Sequence, residues 1–167
     1  MLNPSLQRLN GIMSRTTIDR INSVQWGSYA QPEWNTSTSM AEALERLHQS
    51  DTAAYDSVLY AVGNNHAGTY YPVLLAATPF LEHFVRDGND EQQRIALCIL
   101  DDLFASFHPE PGHEKIIDPS GTMSSVEATF RKRVADLAPV LAHLAHGCGP
   151  NALLASELAS MIEQDAL

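Results

Sequence analysis

Four side chains able to bind a metal or move a proton fall in one short stretch of this chain. They are His108, Glu110, His113 and Glu114, in the segment HPEPGHEKIIDPSGTM at residues 108–123. Imidazole and carboxylate are zinc ligands. An HExxH site, however, needs its two histidines one turn apart on a helix face, and the residue order here is different. Three prolines and two glycines exclude a helix across this segment, and a structural zinc site usually brings cysteine. No metal is expected. The four side chains are instead candidates for contacting a partner, a solvated loop being the plainer alternative, since a segment this long inside a compact domain is usually functional or mobile. His143 and His146 share a helical face but have no third ligand nearby, and near a helix C-terminus they complement the dipole when protonated. Asp101 and Asp102 are neighbours on a helix, so they point about 100° apart and are read as solvated, or one of them as paired with a base. No GxSxG elbow, phosphate-cradling GxxxxGK[ST] loop or GxGxxG turn is present. The expectation is a non-enzyme without a cofactor.

Two other clusters suit recognition. Trp26, Tyr29 and Trp34 gather in a proline-containing turn, and Trp and Tyr are typical interface anchors; they equally suit packing at the open end of a terminal repeat. The stretch from Asn64 to Tyr71 combines polar, aromatic and glycine residues between two helices. As a recognition turn it offers Asn65, His66 and Tyr70 to a partner. As a structural element, His66 and Thr69 cap the helix that begins near Pro72, and Tyr70 packs inward.

The chain has 167 residues, 44% of them hydrophobic and 18% charged, which fits one folded domain with its own core. Twenty acidic against ten basic side chains give a formal charge of −10. That charge disfavours phosphate backbones and anionic membranes. It favours encounter with a basic protein, and it also keeps a protein soluble. Cys98 and Cys148 are too few for a disulfide scaffold or a CxxC zinc site. Cys98, in an apolar run, reads as a buried thiol and Cys148 as part of a Gly-Cys-Gly turn. Residues Met1 to Asn10 lack a signal-peptide layout, no run approaches about 18 apolar residues, and a cytoplasmic protein is expected.

The elements that must position these groups are helical. Val126, Phe130, Val134, Leu137, Leu141 and Leu144 recur at spacings of three and four, as one stripe of a long helix. Ala96, Leu100, Leu103 and Phe107 repeat the pattern, as do Val73, Ala77, Phe80 and Phe84, and Leu154, Leu158, Met161 and Ile162. Helices are expected at roughly 4–10, 15–25, 38–49, 51–62, 71–86, 90–107, 124–146 and 151–164, with no sheet. Ser39-x-x-Glu42 and Ser124-x-x-Glu127 have capping-box spacing, Pro72 suits a first turn, Gly88 and Gly147 suit C-termini, and Pro79 should kink its helix or mark a shifted start. The last six helices form three antiparallel pairs, starting near residues 38, 71 and 124. The fold class expected is all-α, with antiparallel helix pairs stacked as a short solenoid. It forms a single domain over 1–167, with N-terminal helices and a turn at 1–37 and an inserted loop at 108–123.

From Trp26 to Leu103 the chain resembles a group of bacterial HEAT-like helical-repeat proteins. The residues carrying the likeness are Trp26, Tyr29-Ala30, Ala43-Leu44, Leu47, Asp51 to Ala54, Asn64 to Pro72 and Ala77 to Leu81. The Pro-Glu-Pro-Gly turn at 109–112 is similar to that group's inserted loop. The chain departs from the pattern at His66-Ala67-Gly68, where His-Gln-Gly is usual, and at the additional aromatic Trp34. The resemblance implies a HEAT-like solenoid and a protein-binding role. Small stand-alone members look like immunity proteins of polymorphic-toxin systems, which bind a cognate toxin and occlude its active site. An acidic immunity protein suits a basic toxin. A HEAT-repeat scaffold or adaptor with no toxin partner is the alternative that the same fold implies.

Overall fold

The computed structural model describes residues 17–117 and 120–166. The predicted helix at 4–10 lies outside these residues. Described residues 17–23 are helical (α1) and lead into a single 3-10 turn at Trp26–Ser28. The chain continues through α2 (Ser39–His48), α3 (Ala54–Val62), α4 (Val73–Asp87), α5 (Asp90–Ala105), α6 (Val126–Ala135), α7 (Ala138–His146) and α8 (Ala152–Asp165). Interspersed are five short strands: β1 (Gly63–Asn64), β2 (Thr69–Tyr70), β3 (His108–Pro109), β4 (Lys115–Ile117) and β5 (Met123–Ser125).

The chain is therefore mostly helical, as its apolar periodicity requires. Consecutive helices pack as hairpins, α2 on α3, α4 on α5 and α7 on α8. The central α5 also lies against α3 and α8, and α6 lies against α4. The stripe Val126, Phe130, Val134, Leu137 and Leu141 is fully buried, and one continuous apolar core runs from Ile21 to Ile162. At about 25 cal/mol per Å² of apolar surface, that burial is the main force holding the hairpins together. No helix among the described residues is long and apolar enough to cross a membrane.

Three expectations are corrected. First, sheet is present. β1 and β2 form an antiparallel hairpin pairing Gly63 with Tyr70 and Asn64 with Thr69, and β3 adds to β2 in parallel, Thr69 opposite His108. β4 and β5 form a second hairpin, so the segment at 108–123 is partly extended strand rather than irregular loop. Strands of two or three residues are too short to display alternation. Second, the helix expected at 124–146 is two helices. Asp136 and Leu137 form a turn, and Pro139 sits in the first turn of α7. In a continuous helix its ring would collide with the Ala135 carbonyl and leave it without a donor. The hydrophobic stripe survives the break because the turn keeps its phase.

Third, the caps lie elsewhere. Thr38 occupies the N-cap of α2 without a capping hydrogen bond, and Ser125, one residue beyond Ser124, caps α6 by accepting from the Ala128 N–H at 3.1 Å. The full capping box is at α5. There the Asn89 side chain accepts from the N–H groups of Glu91 and Gln92, and the Gln92 side chain accepts from the Asn89 N–H. Gly88 and Gly147 do end α4 and α7. α4 runs on through Pro79, with the Thr78 hydroxyl donating to the Leu74 carbonyl at 2.7 Å.

Candidate functional site

Trp26 and Tyr70 are core residues, which corrects the expectation that they meet a partner. Trp26 is 3% exposed, donates its indole N–H to the Ile21 carbonyl and packs against Phe80. Tyr70 is 1% exposed and lies against Phe130 on α6, so the aromatic of the Asn64–Tyr71 segment faces inward. Both residues of β2, Thr69 and Tyr70, are buried, while Asn65, His66 and Ala67 at the hairpin tip stay in solvent.

Outward of that core, Trp34, Asn65 and His66 come together with residues the sequence reading missed. They line an open groove of about 640 Å³ with Asp56, Ser57, Tyr60 and Asn64. Trp34 stacks on Tyr60, ring centroids 5.2 Å apart, and its indole N–H donates to the Tyr60 carbonyl at 3.1 Å. Beside it, the Asn35 amide donates to the Ala61 carbonyl at 2.7 Å. The turn carrying Trp34 is thus fastened to the end of α3. Trp34 and Tyr60 remain 38% and 58% exposed. Across the groove, the Asn64 carboxamide oxygen accepts from the N–H groups of His66 and Ala67, shaping the hairpin turn. Gly68 closes that turn with φ +65°, in the left-handed region. Tyr60 had a legible signal. It shares an exposed face with Asp56 one turn earlier, opposite the buried Val58, Ala61 and Val62, so it is an aromatic out of phase with its helix's apolar stripe. Behind the aromatic pair a smaller hollow holds Glu42 and Arg46, the latter ion-paired with Asp51 at 3.1 Å.

The loop residues approach this region from β3. His108 is exposed on β3, and the Glu110 N–H donates to the Tyr70 carbonyl at 2.8 Å. The His113 ring packs on Tyr71 at 4.8 Å. The Glu114 carboxylate accepts from the Gly112 N–H, a bond that holds its pKa below the usual range. The Tyr71 phenol is raised, first by burial and then by the carboxylates of Glu110 and Glu33. At the far end of the β4–β5 hairpin, Ile117 and Met123 face each other in register and are exposed. Tyr29 lies apart, in a different cleft with Arg20, Phe80 and Arg133.

A further cleft of about 310 Å³ lies where α3, α5 and α8 meet, lined by Tyr55, Arg94, Cys98, Asp101, Asp102 and Leu154 among others. Asp102 accepts a short hydrogen bond from the Tyr55 hydroxyl, so its partner is a phenol and not a base. Cys98 is half-buried rather than buried, with its thiol pushed up by burial; both cysteines are free. The Asp101 carboxyl is also raised, by burial first and then by Asp102 and Glu157. A raised folded-state pKa means that ionisation of Asp101 opposes folding. That penalty is absent below the unfolded value of about 3.9 and grows as pH rises through the folded value. Asp101→Asn is accordingly expected to melt higher than the parent at pH 7, with the gap closing as pH falls towards about 4. Thermal unfolding across that range checks it.

No group of three or more His, Cys, Asp or Glu side chains converges as a metal site among the described residues. His146 bonds the Ala142 carbonyl and His143 points to solvent. What the exposed arrangement offers is aromatic faces, amide and imidazole groups and a carboxylate around one open groove. Comparison with known protein families, characterised proteins and solved structures finds no match to this chain.

Proposed function

We propose that this chain is an immunity protein, a HEAT-like stack of helix hairpins that binds a basic toxin protein inside the producing cell and occludes its active site. The observation that carries the protein-binding part is the exposed Trp34–Tyr60 pair, held rigid by backbone hydrogen bonds on the rim of an open groove. Exposed aromatics cost little conformational entropy to dock when already fixed, and they dominate interface energetics. Charge supports a basic partner: the chain carries −10, and Asp56 lines the groove beside the aromatics. The ordering of the helix pairs supports the solenoid, since α3, α5 and α8, the second member of each hairpin, neighbour one another. That the partner is a toxin rests on the sequence resemblance alone. The chain acts by occupancy, with no catalytic step, metal or cofactor of its own.

The test is co-expression. The C-terminal domain of the protein encoded next to this one is produced with and without this chain, and surviving cells are counted. Rescue together with co-purification supports immunity. Absence of toxicity, with capture of several other proteins, moves the assignment to a scaffold. In a purified complex, affinity should fall steeply with added salt. Glu110→Lys with Glu114→Lys should weaken it by about tenfold, mainly through slower association, measurable by surface plasmon resonance. Unchanged affinity in the double variant would remove the loop from the interface.

A further inference from the structure

From the chemistry of the Trp34–Tyr60 groove we infer that it seats an arginine side chain of the partner. The inference rests on the reading of this chain as a binder of a basic protein, and it names the group that is read.

Several donors on the groove wall are already used within the protein. The Trp34 indole N–H is used on the Tyr60 carbonyl, the Ser57 hydroxyl donates to the Ala53 carbonyl at 2.8 Å, and the backbone N–H groups of His66 and Ala67 are used on Asn64. The open volume is lined by two aromatic rings, the Asp56 carboxylate, Ser57 and the polar side chains of Asn64, Asn65 and His66. Among the described residues no ion pair engages Asp56. No lysine or arginine lines the groove. A site that sets two π faces beside a carboxylate and holds no basic residue of its own suits a planar cation bearing several N–H groups. Guanidinium meets that description. It stacks flat on indole and phenol while its edge donates to a carboxylate, which the compact, strongly hydrated lysine ammonium does less well. Because Trp34 is pinned by its own hydrogen bond, little rotamer freedom is lost on docking.

The full chain would be titrated with a tetra-arginine amide peptide at fixed ionic strength while the two indole N–H resonances are followed by NMR. The Trp34 resonance is expected to shift saturably and that of the buried Trp26 to stay. Tetra-lysine should bind at least about threefold more weakly and tetra-citrulline should give no saturable shift. Tyr60→Ala and Asp56→Asn change exposed residues and should each weaken tetra-arginine about fivefold. Asp136→Asn, which removes the same charge from a distant ion pair with Lys132, should leave it unchanged. Equal affinity for lysine and arginine, a silent Trp34 resonance, or an Asp136→Asn effect as large as that of Asp56→Asn would each overturn the inference. Two results separate it from the proposed function. A basic protein partner whose affinity is untouched by Tyr60→Ala and Asp56→Asn overturns the arginine seat alone. A full peptide response with no basic protein partner found overturns the immunity reading alone.

Discussion

Gly63→Ala is expected to destabilise the protein by about 3 kcal/mol, the upper end of what overpacking typically costs. A Cβ built at residue 63 would stand 1.9 Å from the Thr69 carbonyl oxygen and 2.7 Å from the Tyr70 Cα. Both are backbone atoms of the paired strand, so no side chain can swing aside, and β1 and β2 must separate or shift. The backbone dihedrals are not the cause, since φ at this residue is −173°, ordinary extended chain. The cost is the close approach alone. The same shift carries Asn64, Asn65 and His66 away from Trp34 and Tyr60, so partner affinity should drop with stability. Denaturant unfolding gives the first quantity and titration calorimetry at a temperature where the variant stays folded gives the second. A variant within about 0.5 kcal/mol of the parent would show that the hairpin does not close as tightly as described.

Tyr70→Ala should cost still more, about 3–5 kcal/mol, the usual loss when a large buried aromatic is truncated. The ring is 1% exposed, packs against Phe130, and its strand is paired on both edges, by β1 and β3. Little around it can collapse to fill the space. In a chain of this size that loss lowers the melting temperature by about 6–20 °C. Tyr70→Phe keeps the packing and should leave partner affinity unchanged, so the pair of variants separates a core role from a contact role. A Tyr70→Phe protein that melts normally but binds poorly would return Tyr70 to the interface.

Helix positions were largely legible because buried residues recur at helical spacing over several turns. The Val73, Ala77, Phe80 and Phe84 series within α4 is an example. Local stereochemistry was less so. The Pro139 break was overlooked because the stripe continues through it in phase. Asn89 caps α5 well ahead of the first buried residue of its apolar stripe, Ile95, so periodicity does not point to it. The sheets were invisible for a different reason: β2 pairs with β3 across nearly the whole α4–α5 hairpin, and such pairing depends on distant segments meeting. The candidate surface divides along the same line. Trp34, Asn65 and His66 could be proposed from type and position. That Tyr60 would stack on Trp34 depends on how the 31–36 turn folds onto α3, and that Trp26 and Tyr70 would be buried depends on Phe80 of α4 and Phe130 of α6, contacts with no periodic signature.

The parallel joining of β2 to β3 has a bearing on the order in which this chain assembles. Residues 70 and 109 are brought side by side, so the strand pair closes a long loop. Loop-closure entropy makes that contact expensive until the intervening helices have docked on each other. The helix hairpins should form early from local contacts, with the three-stranded junction sealing last. In native-state amide exchange, the N–H groups of His108 and Glu110, which bond the Gly68 and Tyr70 carbonyls, should open at lower free energy than those in the middle of α5. The seam between β2 and β3 would then be the part of the molecule that matures last after synthesis and loosens first under stress.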